Sequence, residues 1–293
     1  MEYKIDLHTH SFISDGTLSP KDLIRLASVL NIKAIALTDH DSIEGINEAS
    51  VEAKNQNIDF LNGIEISATY KDGRILHILG LGIDIENKDF LTTYTLMKES
   101  RENSIVNILG KIKEKGIFID INDLKINALN KHLDRYDIHR YFMRNNICSS
   151  AQEVWDKYLD PIPYGEDDLF SAKDAIDIIH KAHGLSFLAH YNKKIGLGGL
   201  TNEEIEENIK YLVDLGLDGL ERYYPTFKSE DIKFLDYLIN KYSLRISGGT
   251  DFHGENRPEA KLGTGCDNML IPYSVYEDIL FNAQFTIEDK ITS

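Results

Sequence analysis

Tyr3-Lys4-Ile5-Asp6-Leu7-His8-Thr9-His10 reads as a short apolar strand that ends on two imidazoles two positions apart. Residues i and i+2 of a strand project to the same side, so both rings can address one ion. The same event recurs down the chain. Thr38-Asp39-His40-Asp41 closes an apolar run at 33–38, and Gly63-Ile64-Glu65-Ile66-Ser67 closes another at 58–65. Leu76-His77-Ile78 lies within a run at 75–82, and Leu188-Ala189-His190-Tyr191 ends the run 185–190. A sixth strand is expected at 217–221, and a seventh at 244–249 leads into Thr250-Asp251-Phe252-His253-Gly254, a second i, i+2 pair. Asp15 follows the first strand in Ser14-Asp15-Gly16-Thr17.

Amphipathic stretches separate most of these runs, which predicts an α/β fold of the β/α barrel type. Ser19-Pro20-Lys21-Asp22 supplies a cap, a first-turn proline and an acidic third position, and Leu23, Leu26, Ala27 and Leu30 then follow at helical spacing. Ser171 with Asp174 and Thr201 with Glu204 repeat the capping pattern. Ser229 is expected to open a helix with Ile232, Leu235 and Ile239 on one face; Gly184 and Gly216 suit helix C-termini, with His183 favourable beside the first. From about Asp84 to Phe170 the rhythm breaks: helical segments are expected near 90–116, 135–147 and 150–159, then the loop 160–165. Residues 84–170 therefore read as a small helical insertion between strands 4 and 5, with the barrel formed by 1–83 and 171–293.

Six imidazoles and three carboxylates (His8, His10, Asp15, His40, Glu65, His77, His190, Asp251 and His253) thus fall at strand ends, where barrel enzymes place their chemistry. Desolvating that set together is very costly unless cations neutralise the acids and use the ring nitrogens. The mixed nitrogen and oxygen donors suit manganese, iron or zinc. Asp39 and Asp41 read as supporting or capping groups rather than ligands. His132, His139, His180 and His183 are not expected to bind metal, and Tyr223-Tyr224 reads either as packing or as a surface for a ring.

The 293 residues suffice for one barrel with a sizeable insertion. Hydrophobic residues make up 42% and charged residues 27%, which excludes global disorder. A formal charge of −16 disfavours binding to long nucleic acid. Two or three divalent ions would add roughly four to six local positive charges, so small anions or strand ends remain suitable partners. Cys148 and Cys266 are far apart and in no C-x-x-C arrangement, so no disulfide framework is expected. Reduced thiols, no export signal at the start and no apolar run of membrane length point to a cytoplasmic protein without a membrane partner. Oligomeric state is not legible.

His8-Thr9-His10, Ser14-Asp15-Gly16, Thr38-Asp39-His40-Asp41, Gly63-Ile64-Glu65-Ile66-Ser67, Ala189-His190 and Asp251-Phe252-His253-Gly254, in that order, resemble the PHP family, named for its polymerase-associated and histidinol-phosphatase members. The resemblance is closest to stand-alone bacterial members acting on nucleoside 3′,5′-bisphosphates or on 5′ ends of short RNA. It implies a distorted, TIM-like (β/α)7 barrel and a phosphoesterase with two or three divalent ions, whose bridged hydroxide attacks phosphorus. Mapped onto this chain, His8, His10, Glu65 and Asp251 hold one ion; Asp15, His40 and His253 hold another; Glu65, His77 and His190 hold a third. His190, His253 and Asp251 are the candidate catalytic groups, with His190 or His253 steering the leaving-group proton.

Two positions depart from the family's pattern, the first bearing on the loop after His190 and the second on the substrate. Tyr191 stands where relatives often have proline, and Arg135-Tyr136-Asp137-Ile138-His139-Arg140 carries Asp137 where relatives tend to have histidine in an Arg-x-His-x-x-Arg helix. Arg135, Arg140 and Arg257 are the candidate phosphate contacts. Competing readings are a histidinol-phosphate phosphatase, an amidohydrolase-like metal hydrolase, and a non-enzymatic binding domain. No strand-end lysine supports the second, and the acidic balance disfavours the third.

Overall fold

The computed structural model describes residues 3–165, 167–266 and 269–291, with side chains described as far as Ala283. Seven strands follow the seven expected runs: β1 Lys4–Asp6, β2 Ile32–Leu37, β3 Asp59–Thr69, β4 Ile75–Leu81, β6 Leu185–Leu188, β7 Gly219–Tyr223 and β8 Arg245–Gly248, with β5 Phe170–Ser171 as a short addition paired to β3. The helices are α1 Pro20–Val29, α2 Ile46–Gln56, α3 Lys88–Glu114, α4 Ile121–Ile126, α5 Arg135–Arg144, α6 Ala151–Val154, α7 Ala172–Lys181, α8 Asn202–Asp214, α9 Ser229–Tyr242 and α10 Tyr273–Ile291. A π-helical turn, Trp155–Leu159, continues α6. Among the described residues, no helix is long and apolar enough to cross a membrane.

The sheet runs β1-β2-β3-β4-β6-β7-β8 and its ladder is not closed. Its two ends meet outside the named ladders: Leu7 N donates to Gly248 O at 3.1 Å, Asp251 N to His8 O at 2.9 Å and His10 N to Phe252 O at 2.9 Å, and Thr9 bridges Phe252. Gly249 permits this approach, since a Cβ there would sit 2.3 Å from the His8 backbone nitrogen. A regular (β/α)7 barrel would have all its strands parallel, but β4 runs antiparallel to both β3 and β6. The reason is local. Only Tyr70–Arg74, wound into one 3₁₀ turn, separates β3 from β4, and a parallel crossover needs about a dozen residues or more.

Alternation along the strands divides the core. Ile5, Leu7, Ala34, Ala36, Leu61, Leu79, Leu81, Leu185 and Phe187 form one cluster, closed at one end by Val275, Tyr276 and Ile279 of α10. The intervening residues face the helices: Ile35 and Leu37 meet Leu23, Ile24 and Ala27 of α1, while Ile64, Ile66, Leu76 and Ile78 meet Ile176 and Ile179 of α7. Burying such a side chain stabilises by about 1.5–3 kcal/mol. Along the first face, Leu61, Gly63 and Glu65 lie in one row of β3, and Leu81, Leu79 and His77 in one row of β4. Both rows begin beside the α10 end and finish on ionisable groups.

The helix signals hold with small shifts. Ser19, Ser171 and Thr201 each cap their helix, accepting from the backbone of Asp22, Asp174 and Glu204. Ser229 is the first helical residue rather than the cap; Lys228 precedes it, and its N–H donates to Asp231 Oδ2 at 2.8 Å. At the end of α7 it is His183, not Gly184, that takes the left-handed backbone, with φ 57°. Residues 105–162 build an apolar cluster of their own around Ile108, Ile138, Phe142 and Leu159. The short α4 within this stretch was not expected, since its six residues are too few to show a period.

Candidate metal centre

Most of the ligand-type residues stand just past the strands rather than on them. His8 and His10 follow β1, His40 follows β2, His190 follows β6, and Asp251 and His253 follow β8. Glu65 lies inside β3 and His77 near the start of β4. His77 lies within the expected run 75–82, and because β4 is reversed its beginning lies where the parallel strands end. Left-handed backbone turns three of the flanking side chains: φ is 26° at His190, 53° at Asp251 and 50° at Asp41. Non-glycine residues hold such angles only when surrounding structure imposes them, and they cluster at functional sites. Gly16 lets the loop bearing Asp15 fold back, since a Cβ there would meet His10 O at 2.4 Å.

The residues converge in three overlapping groups whose ligand atoms lie within 4.8 Å of one another: His8, His10, Glu65 and Asp251; His10, Asp15, His40 and His253; and His40, Glu65 and His77. Glu65 is the hub. Its Oε2 lies 3.2 Å from His8 Nε2, 3.2 Å from His10 Nε2 and 3.0 Å from His40 Nδ1. Its Oε1 lies 3.0 Å from His77 Nδ1 and 3.1 Å from His190 Nε2. Asp251 Oδ1 stands 3.2 Å from His10 Nε2, and Asp15 Oδ1 stands 3.2 Å from His253 Nε2. The grouping departs from expectation in two respects: His10 joins Asp15, His40 and His253, and His40 rather than His190 completes the group of Glu65 and His77, with His190 beside it at Glu65 Oε1 and its ring against His8 and His77.

Whether cations fit can be judged from the atoms themselves. His8 Nε2, His10 Nε2, His40 Nδ1, Asp15 Oδ1 and Glu65 Oε2 are buried and have no hydrogen-bond partner. They approach one another without hydrogen-bond geometry, as lone pairs do when aimed at a common point. Orphaned buried groups cost about 1–3 kcal/mol each, more when charged, so the arrangement requires a partner of the opposite sign. Oxygen and imidazole donors in overlapping sets fit divalent ions.

Electrostatics point the same way. Burial opposes ionisation of Glu65, yet the rings of His77, His8 and His40 outweigh it and hold the carboxyl well below its usual range. Asp251 is likewise held low against burial, chiefly by Arg257, then by His8 and His253. His10 is pushed down by burial and by His253 and His40. Burial lowers His77 to about 4, whereas against burial the Glu65 carboxylate raises His8 well above its usual value and His40 to about 9, so a cation binding here would displace protons from those two rings.

Several surrounding groups were not found from sequence. Glu221 on β7 is buried; its Oε1 lies 2.8 Å from His8 Nδ1, and its Oε2 accepts from His190 N at 2.8 Å. The available signal was a carboxylate inside the run Leu217–Glu221. Tyr224 OH donates to Asp251 Oδ2 at 2.8 Å, a polar role that neither packing nor ring contact anticipated. Tyr136 stacks on His40 with centroids 5.1 Å apart and planes 9° apart. Arg101, buried on α3, donates to Asp41 Oδ1 at 2.6 Å and Ser67 O at 2.9 Å; nothing in the pattern of a 27-residue helix singled it out. Asp39, by contrast, reads from sequence as a supporting or capping group; it steadies the loop before Asp15, accepting from Ser11 N, Ser11 Oγ and Ser14 Oγ.

The three candidate phosphate-binding arginines separate. Arg140 Nη1 donates to Ile13 O at 2.6 Å and Ser14 O at 2.8 Å, and its Nη2 donates to Asp137 at 2.5 Å. It clamps α5 to the loop before Asp15. Arg257 pairs with Asp251 Oδ2. Arg135 is buried over the Tyr164 ring and donates Nη1 to Leu159 O at 2.8 Å, while its Nε and Nη2 have no partner. His132 pairs with Glu102, His180 with Asp218, and His183 with Asn87.

Comparison with known proteins agrees with this geometry. A model of the PHP domain matches residues 6–184, the span that holds His8, His10, Asp15, His40, Glu65 and His77. The chain is 31% identical over 261 residues to a 5′-3′ exoribonuclease of Haemophilus influenzae, covering 86% of this chain and 91% of that protein. It is 29% identical over 253 residues to a 3′,5′-nucleoside bisphosphate phosphatase of Chromobacterium violaceum, covering 85% and 87%. The crystal structure of a metal-dependent phosphoesterase candidate from Bifidobacterium adolescentis, 22% identical, superposes with a TM-score of 0.81 over 96% of each chain and so shares the fold. Sequence similarity along nearly the whole length, and a family match across the stretch that carries most of the ligand set, place this chain in the PHP domain family.

Proposed function

We propose that the chain is a metal-dependent phosphoesterase that removes a phosphate from a small nucleotide-like substrate, such as a nucleoside 3′,5′-bisphosphate, or acts at the 5′ end of short RNA. The observation that carries this reading is the three-way sharing of Glu65, His10 and His40 among buried ligand groups. We assign the nine residues His8, His10, Asp15, His40, Glu65, His77, His190, Asp251 and His253 to two or three divalent ions, manganese, iron or zinc. Bound there, such ions supply water of lowered pKa and neutralise charge building on phosphoryl oxygens. We read the sheet as the wall of a distorted seven-stranded barrel, with residues 84–170 as a cap over its mouth.

The chain's own groups then divide the remaining work. Hydrolysis breaks a P–O ester bond, water adds to phosphorus, and the departing alkoxide takes a proton. His253 and His190, both at the edge of the cluster, are the groups assigned to steer that proton. Arg135 retains two buried donors for a phosphate oxygen, and Arg101 Nε is likewise buried without a partner. Relatives that act on a bisphosphate and on RNA ends support a nucleotide-type substrate over histidinol phosphate.

Elemental analysis of the purified protein, combined with a substrate panel, tests this reading. The panel contains a nucleoside 3′,5′-bisphosphate, a short 5′-phosphorylated RNA, histidinol phosphate and a generic aryl phosphate. Bound divalent metal and fastest turnover of one of the first two are expected. Metal-free protein that turns over none of the four after reconstitution with manganese, iron and zinc refutes it.

A further inference from the structure

The loop that follows β6 folds back on itself around His190. Lys193 N donates to His190 O at 2.9 Å, Gly198 N donates to Lys193 O at 2.9 Å, and His190 Nδ1 lies 3.1 Å from Ile195 O. The main chain of Lys193 is therefore fixed to a residue of the metal centre. Its side chain is half-buried, with Nζ 5.4 Å from the centre of the Tyr224 ring. Tyr224 OH and Arg257 both engage Asp251 Oδ2, whereas Asp251 Oδ1 faces His8 and His10 at 3.4 Å and 3.2 Å. Tyr224 and Arg257 thus stand at the Asp251 oxygen that those imidazoles leave free, and Lys193 lies beside them.

Among the described residues, no carboxylate forms an ion pair with Lys193. The acids that act on its ammonium are already engaged. Asp251 is held by Arg257 and Tyr224, and Asp231 accepts from Tyr191 OH, Asn192 Nδ2 and Lys228 N. Burial, then the charge of Arg257, lower the ammonium from its ordinary value. Divalent ions in the centre would add to that repulsion, and an anion seated among these cations relieves it. We propose that Lys193, with the Arg257 donors not spent on Asp251, holds a second phosphate of the substrate, the one that is not cleaved. The inference rests on the nucleotide reading above and names the residue that separates a bisphosphate or an RNA end from a simple monoester. The scissile phosphate belongs on the ions themselves, whereas this pair of cations sits one carboxylate further out. A lysine suits the task, since a compact ammonium on a flexible stem meets a phosphate as a point charge. Histidinol phosphate, with an ammonium and no second anion, would be repelled there.

The test measures affinities by calorimetry on the full chain as purified. The ligands are analogues that resist hydrolysis because methylene replaces the ester oxygen of each terminal phosphate. They correspond to adenosine 3′,5′-bisphosphate, a 5′-phosphorylated adenosine dinucleotide, and adenosine 3′- and 5′-monophosphate. The first two carry a second phosphate, and at least one of them is expected to bind tenfold more tightly than either monophosphate. Whichever does so identifies the source of that phosphate, a bisphosphate or an RNA chain. Lys193→Met should cut this preference at least fivefold, while Lys193→Arg, which keeps the charge, should retain most of it. Arg257 is left intact because it pairs with Asp251. No preference for a second phosphate, a preference that survives Lys193→Met, or an equal loss for all four ligands overturns the proposal. The readout does not depend on hydrolysis. A preference that requires Lys193, without turnover of any substrate, upholds the subsite and defeats the phosphoesterase reading, while turnover without the preference defeats the subsite alone.

Discussion

Glu221 Oε1 lies 2.8 Å from His8 Nδ1, which turns the other nitrogen of that ring, Nε2, toward Glu65 Oε2 at 3.2 Å. A carboxylate behind a ligating imidazole sets its tautomer and orientation, and removing one typically lowers metal affinity or activity by about 10–100-fold. Glu221→Gln is therefore expected to lower kcat within that range and to raise the metal concentration needed for half-maximal activity. Unchanged metal dependence rules out this role for Glu221.

His8→Ala and Asp251→Ala remove donors from the most deeply buried group. Each should abolish turnover, by about 10³-fold or more, and reduce bound metal while the far-UV circular dichroism stays native. Full activity in either variant contradicts the ligand assignment.

Arg101 and Arg135 are both buried but differently engaged. Arg101→Met strands the Asp41 carboxylate, and breaking a buried pair from one side costs about 3–5 kcal/mol. Arg135→Met loses one bond to a carbonyl, about 0.5–1.5 kcal/mol, and should instead raise KM for a phosphorylated substrate. Urea unfolding alongside steady-state kinetics separates the two. Equal stability losses contradict the distinction.

Acid should weaken the cap through His139. Its folded value near 4 lies below the ordinary 6.5, so the unfolded chain binds the proton first. The stabilising effect of keeping this ring neutral is complete above about pH 6.5 and disappears as pH falls toward 4. The displacement corresponds to about 3 kcal/mol at most. His139→Gln should flatten the loss of stability between pH 6.5 and 4, measured by denaturant midpoints. Identical pH slopes for the two proteins exclude the effect.

Chelation should destabilise the fold as well as stop turnover. With free metal at 100 times its Kd, the bound state gains about 2.7 kcal/mol, so a chelator should lower the thermal midpoint and added manganese or zinc should restore it. A midpoint indifferent to metal contradicts a centre built from Glu65, His10 and His40.

The ligand set was legible because its signal is local: each histidine or acid follows an apolar run, and strand periodicity carries it to a predictable side. Seven strands, the capped helices α1, α7 and α8, and the helical character of 84–170 come from the same short-range rules. Arg101, Glu221 and Tyr224 were not legible, since each acquires meaning only from a residue tens to hundreds of positions away. The reversal of β4 was overlooked although its cause, the five residues Tyr70–Arg74, stood in the sequence.

By itself, the sequence determined which residue types reach the ends of which strands, because alternation and turn chemistry act over a few residues. Tertiary structure decided how those ends share Glu65, which arginines are tied to carbonyls or carboxylates, and that His139 is buried against Trp155. Those outcomes depend on packing between distant segments, where distances of a few ångströms separate a ligand, a clamp and a bystander.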